Sequence, residues 1–256
     1  MSAHAARATN TRMRTHRRCH PIVTPSDIPR HARAIYGVLE PRDKFKAAGA
    51  CTFSGRVVVR CRYVMAYDVQ SQIVGRCLAD ANSPLGATML GLQGYLDLGV
   101  PRSKLILGVP WYGFDWGCQD GAGSAAHQLL ASPYCPVSSV PFRGAPCSDA
   151  AGSEKPYVSI QQLIASGGNV TQFWDNTTMT PFLNYLHPVT GQRRQLWWDD
   201  PRSTAAKLEV AADLGIAGFG PYEFSDLDYT ASGKGASAAM WEVLRRYSKP
   251  ADGRYR

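Results

Sequence analysis

A chain of 256 residues with 45% apolar content can bury a core sufficient for one barrel or two small domains. No run of 18 apolar residues occurs, so no membrane-spanning helix is expected. The net charge of +8 would suit an acidic partner, but residues 1–62 hold 13 Lys+Arg against 3 Asp+Glu and leave 15 against 17 for the rest, so the basicity belongs to the head alone.

The head, residues 1–55, shows no hydrophobic period, and Pro21, Pro25 and Pro29 break any helix there. It reads as a disordered basic tail. Its Arg-rich, acid-poor composition also fits a mitochondrial transit segment, but the apolar face of an amphipathic helix is missing. A third reading makes it non-native sequence joined to a body of different origin. Met1 to His20 lacks the apolar centre of a secretory signal peptide. With no motif and no interleaved aromatics, the basic charge does not predict nucleic-acid binding.

The body, residues 56–250, has a different character. Arg56 to Tyr67 reads as a strand, and a helix is expected near Gln70–Asn82. A second helix is expected near Thr88–Leu98, followed by a short buried strand, Lys104 to Pro110. Residues 114–198 are too long for a loop and read as an α+β insertion. It should hold a helix near Tyr157–Ala165 and strands near Thr171–Trp174, Phe182–Leu186 and Arg193–Trp198. Asp200-Pro201 is a cap followed by proline at the first helical position and opens a helix through Leu214. Gly215 to Gly220 reads as one more buried strand, and Ala236–Tyr247 as a closing helix. Strands alternating with helices imply an α/β fold with a parallel sheet.

Cys77, Cys118, Cys135 and Cys147 in the body fit one or two disulfides of open connectivity. Two sequons, at Asn169 and Asn176, agree with a secretory history. The histidines show no ligand spacing, so no metal site is expected, and no cofactor motif occurs.

In parallel α/β folds the chemistry sits at the carboxyl ends of strands. Here the ends read Met65-Ala66-Tyr67-Asp68, Pro110-Trp111-Tyr112-Gly113 and Pro221-Tyr222-Glu223. Each brings an aromatic to one rim, and Asp68 and Glu223 are the rim carboxylates. Flat apolar faces beside hydrogen-bond acceptors suit a sugar ring. The bland alternative is a set of strand-end aromatics packing under loops. The pair Asp226 and Asp228 reads as a loop or cap signal.

Several stretches resemble glycoside hydrolase family 18, and within it the di-N-acetylchitobiase group. Val64 to Ile73 resembles the motif of the sixth barrel strand, and Gly108 to Gly113 that of the seventh. Val140 to Gly152 closely resembles a stretch of the insertion, and Met240 to Leu244 the closing helix. The resemblance implies an incomplete (β/α)8 TIM barrel, about strands 6–8, with the insertion after strand 7. It implies chitobiose-type N-acetylglucosamine oligosaccharides as ligands, lysosomal or extracellular work in oligosaccharide catabolism, and no membrane partner. In the family a glutamic acid protonates the glycosidic oxygen while the substrate's acetamido carbonyl attacks, an exception to the two-carboxylate scheme. By position, Met65, Tyr67 and Asp68 would line the reactive sugar's subsite, with Tyr112 from the next strand. Tyr222 stands where the eighth strand normally offers tryptophan, and Glu223 where the group has an amide. The family's acid lies in D-x-x-D-x-D-x-E, which does not occur in this sequence. A hydrolase lineage without hydrolysis by this chain is therefore expected. A non-catalytic sugar binder and a truncated product without independent function are the alternatives.

Overall fold

The computed structural model describes residues 50–53, 56–59, 61–69, 76–122, 124–142, 144–167, 169–230 and 234–248. The expected alternation of strands and helices is present, as an α/β fold. Three parallel strands, β3 (Arg62–Met65), β4 (Leu105–Pro110) and β10 (Gly218–Tyr222), form a sheet in the order β10-β4-β3. Three helices belong to these crossovers and to the chain end: α1 (Leu85–Asp97), α4 (Pro201–Asp213) and α5 (Lys234–Tyr247).

Period-two alternation fixes the two faces of this sheet. Leu105, Leu107 and Val109 of β4 are fully buried and join Val64, Leu92, Leu208, Ile216, Met240 and Leu244 in one apolar core. The opposite face carries Tyr63, Met65, Gly108 and Gly220. Gly108 is required there: a Cβ at this position would stand 2.5 Å from the Tyr63 ring. The Tyr63 hydroxyl crosses the sheet and donates to the carbonyl of Gly220 at 2.8 Å.

Helix α1 begins after Pro84 and ends before Gly99, whose φ of 79° is the left-handed conformation that glycine adopts cheaply. Helix α4 has the capping box that Asp200-Pro201 announces: Asp200 accepts from the Ser203 backbone, and the Ser203 hydroxyl returns the contact. Beneath it the fully buried Lys207 pairs with Asp199, whose carboxyl is raised by desolvation against the pull of Lys207.

The insertion is a five-stranded antiparallel sheet in the order β6-β5-β9-β8-β7. Its strands are β5 (Tyr112–Ala122), β6 (Gly152–Pro156), β7 (Val170–Asp175), β8 (Thr180–Leu186) and β9 (Gln192–Trp197), with helices α2 (Ser124–Gln128) and α3 (Tyr157–Ala165). Along β5, Tyr112, Phe114, Trp116 and Cys118 face a second apolar cluster with Phe182 and Trp197. Asp115 faces the other side, held by Tyr185 and Arg194 at 2.7 and 2.9 Å. Buried Arg193 and Asn184 satisfy the carbonyls of Leu130, Ser132 and Tyr134, and Arg193 also pairs with Asp120. Cys118 bonds Cys135 beside this network, and Cys77 bonds Cys147.

Several sequence expectations are corrected. Arg56 to Tyr67 is not one strand: β2 (Arg56–Val59) pairs antiparallel with β1 (Ala50–Phe53), and only β3 joins the parallel sheet. β1 lies inside the head that reads as aperiodic; four residues are too few to register a period. The helix expected over Gln70–Asn82 has its first part outside the described residues, and 76–82 is not helical. There Leu78 bridges Pro136, and Ala79 donates to the Cys135 carbonyl, so tertiary partners override local propensity. The last strand begins at Gly218 and not Gly215, because Gly215 closes helix α4 with φ 62°. β5 and β6 escaped the periodicity reading, being rich in glycine and charged residues.

Candidate functional site at the strand ends

The three strand ends converge. Tyr67 follows β3, Tyr112 opens β5 just beyond β4, and Tyr222 ends β10. The rings of Tyr67 and Tyr222 stack with centroids 5.6 Å apart, while Tyr112 meets both edge-on at 5.9 and 6.1 Å. Tyr67 and Tyr112 are buried, and Tyr222, 47% exposed, presents the open face. Such offset and edge arrangements suit the ring quadrupoles and stiffen the group.

Asp68 is fixed among them. Its backbone sits at φ 59°, the left-handed region, which aspartate tolerates better than most residues. Asn82 holds it: the amide oxygen accepts from the Asp68 N–H at 2.8 Å, and the Asn82 carbonyl accepts from Val69 at 3.1 Å. The Asn82 amide also donates to the Tyr112 carbonyl at 3.4 Å. Ser83 donates to the carbonyl of Ala66 at 2.5 Å. The Tyr112 hydroxyl donates to the Asp68 carboxylate. Burial, with Asp68 beside it, pushes the Tyr112 phenol well above its ordinary range; burial and then Tyr63 do the same for Tyr67. Tyr63 beneath them is pushed up to about 12, chiefly by burial. All three remain protonated at ordinary pH and act as hydrogen-bond donors.

Met65 is half-buried and packs against the second apolar cluster under the tyrosines. Glu223 is exposed beyond Tyr222 and accepts from the Ser225 hydroxyl. Trp111 does not join the group. It is wholly buried on the helix side, edge-on to Trp241 at 5.0 Å and to Phe224 at 5.8 Å. Adjacent residues of an extended segment point to opposite faces, so Tyr112 at the rim sends Trp111 into the core. Asp226 receives the Glu223 N–H at 3.4 Å and Asp228 the Thr230 N–H at 2.8 Å, both serving local turns.

The family described as Glycosyl hydrolases family 18 matches residues 59–226. This chain belongs to glycosyl hydrolase family 18. It is 39% identical to di-N-acetylchitobiase of Rattus norvegicus over 185 residues, covering 72% of this chain and 48% of that protein. It is also 39% identical to the Homo sapiens di-N-acetylchitobiase over 187 residues, covering 72% and 46%. The chain thus spans about half the length of these curated relatives. Among solved structures, a chitinase from Rhizomucor miehei superposes with a TM-score of 0.52 at 22% identity, covering 74% of this chain and 53% of that one. A family 18 chitinase from Cycas revoluta in complex with (GlcNAc)4 superposes with a TM-score of 0.53 at 18% identity, covering 74% and 47%. These structures share the fold.

Sequence reasoning missed Asn82, Ser83 and Tyr63, whose roles are long-range contacts. In sequence Asn82 reads only as the end of the helix expected near Gln70–Asn82. Glu154 on β6 is largely exposed, and its carboxyl is raised by partial desolvation and then by Asp68, Asp226, Asp149 and Glu223. The sequon residues Asn169 and Asn176 are both exposed. Among the described residues no helix is long and apolar enough to cross a membrane.

Proposed function

We propose that the chain binds chitooligosaccharides through Tyr67, Tyr112, Tyr222 and Asp68 and does not itself hydrolyse them. The observation that carries this is the convergence of three tyrosines from three successive parallel strands around one carboxylate. The open face of Tyr222, backed by Tyr67, offers an apolar floor to a sugar ring. Asp68, oriented by Asn82 and Tyr112, accepts from sugar hydroxyls or an acetamide N–H. In this reading β3, β4 and β10 are barrel strands six to eight and Met65 lines the same subsite. Glu223 lies at its outer edge.

Hydrolysis needs a proton donor within reach of the leaving oxygen, a contribution of about 10² to 10⁴ in rate. No D-x-x-D-x-D-x-E segment occurs in the sequence. Calorimetry with chitobiose and chitotriose tests binding: heat that vanishes in Tyr222→Ala supports it, and no heat with either sugar overturns it. A chitobiose reporter tests inactivity, and turnover well above background overturns that half. One observation favours a second reading, a product without independent function. Among the described residues β3 and β10 each have one strand neighbour, leaving two sheet edges to drive association. A sharp, cooperative melt of monomeric protein contradicts it. The two disulfides and the exposed sequons support a lysosomal or extracellular setting; tunicamycin treatment that leaves the mass unchanged would count against it.

A further inference from the structure

The face of the insertion turned away from the tyrosines holds a second group of polar side chains. On an antiparallel sheet, opposed residues share a face, and so do residues two apart. Asp115 of β5 lies opposite Ser153 of β6, and Lys155 follows two residues on. Arg194 of β9 lies opposite Tyr185 of β8 on one side and Gly117 of β5 on the other. These side chains therefore point away from Tyr112 and Phe114. They border an open cleft of about 410 Å³, flanked by Ser159 and Leu163 of helix α3 and by His187 and Pro188 after β8.

The acceptors of this cleft are spent, and its donors are not. Buried Asp115 accepts from Tyr185 on one oxygen and from Arg194 Nε on the other, while its backbone carbonyl accepts from Arg194 Nη2. Desolvation, then Asp115, raises the Tyr185 phenol well above its ordinary range, so it stays a donor to that carboxylate. Arg194 Nη1 has no hydrogen-bond partner among the described residues, and Gly117 opposite it has no side chain to cover it. Lys155 stands 3.6 Å from Asp115, too far for a hydrogen bond, which leaves its ammonium donors available. The hydroxyls of Ser153 and Ser159 also lack partners among the described residues. His187 Nδ1 accepts from the N–H groups of Val189 and Thr190, which places the hydrogen of the neutral ring on Nε2 as a further donor. Two permanent cations thus face one carboxylate, and among the described residues no second carboxylate lines the cleft.

We propose that this cleft is a second ligand site, separate from the tyrosine rim, for a small monoanionic acid of about monosaccharide size, the hexuronic acids being the class that fits. A cleft near the small end of the range for ligand sites takes one ring and not a chain. The acid's carboxylate offsets the surplus positive charge and accepts from Lys155 and Arg194 Nη1. Ring hydroxyls answer the two serines and His187, and the apolar side of the ring lies against Leu163 and Pro188. A phosphomonoester would bring a second negative charge, which Asp115 opposes.

The test is titration of the full chain at low salt, followed by protein NMR chemical shifts, with glucuronate, glucose and inorganic phosphate as probes. Glucuronate should bind about tenfold tighter than glucose, the scale of one charge-assisted contact. That preference should shrink as salt is raised. It should fall to about twofold or less in Lys155→Gln and be largely kept in Lys155→Arg. Because the readout is a ratio of two affinities, a general loss of affinity does not decide it. Tyr222→Ala, a change at the rim, should leave the ratio as it is. Glucuronate binding no tighter than glucose, a preference undiminished in Lys155→Gln, or one lost in Tyr222→Ala overturns the assignment. Phosphate binding as tightly as glucuronate also overturns it, since the cleft would then be a general anion patch.

Discussion

In the insertion, β5, β9 and β8 each have antiparallel partners on both sides, and a disulfide plus a buried arginine stitch the 129–135 loop to the sheet. In the parallel sheet only β4 has two strand neighbours among the described residues, and those neighbours come from distant parts of the chain. The insertion is thus braced by a dense set of buried cross-links of its own. The rim is braced by a few long-range contacts, those of Tyr63, Asn82 and Ser83. Damage to the insertion should read out as lost stability, and damage to the rim as lost ligand binding.

The largest expected effects come from breaking buried charge pairs, one in each region. Arg193→Ala strands Asp120 and several carbonyls in the insertion, and Lys207→Ala strands Asp199 under helix α4. Each should cost about 3–5 kcal/mol in chemical denaturation. A loss below about 1 kcal/mol for Arg193→Ala would mean the insertion does not depend on its polar network. Next, replacing Cys118 and Cys135 together by alanine opens a cross-link of sequence separation 17 and should cost about 3 kcal/mol. Tyrosine packing at the rim should survive, which near-ultraviolet circular dichroism can follow. Gly108→Ala drives a methyl into the Tyr63 ring and should cost about 1–3 kcal/mol while loosening the tyrosine group. Tyr112→Phe removes one donor to Asp68; it should cost about 1 kcal/mol of stability and weaken sugar binding about fivefold. The smallest stability effect belongs to Tyr222→Ala, within about 1 kcal/mol at an exposed position, yet it should abolish measurable sugar binding. If Tyr222→Ala instead unfolds the protein and keeps its affinity, the division between a bracing insertion and a binding rim is wrong.

Much of this was legible from local chemistry. The apolar run ending at Val109-Pro110 reads as a buried strand, and Asp200-Pro201 as a helix opening, and both are observed. The helix at Tyr157–Ala165 falls within the expected residues. Tyr67, Tyr112 and Tyr222 announce themselves because strand ends in parallel sheets share a rim. What failed is equally local in cause. Residues 76–82 carry a helix-compatible pattern, but Cys77 is tied to Cys147 and Leu78 to Pro136, contacts that no short window contains. Trp111 and Tyr112 look alike in sequence, and only the sheet's two-sidedness separates a core ring from a rim ring.

Hydrophobic period, caps and turn residues act over a few positions, so the sequence by itself determined the α/β class, the parallel strands and most helices, but not β1, β5 or β6, nor which strand-end aromatic turns into the core. Which cysteines pair and why Asp68 holds a left-handed backbone depend on residues from 14 to 70 positions apart. Those contacts exist only once the chain has folded, because pairing and packing are set by distance in space and not by distance along the backbone.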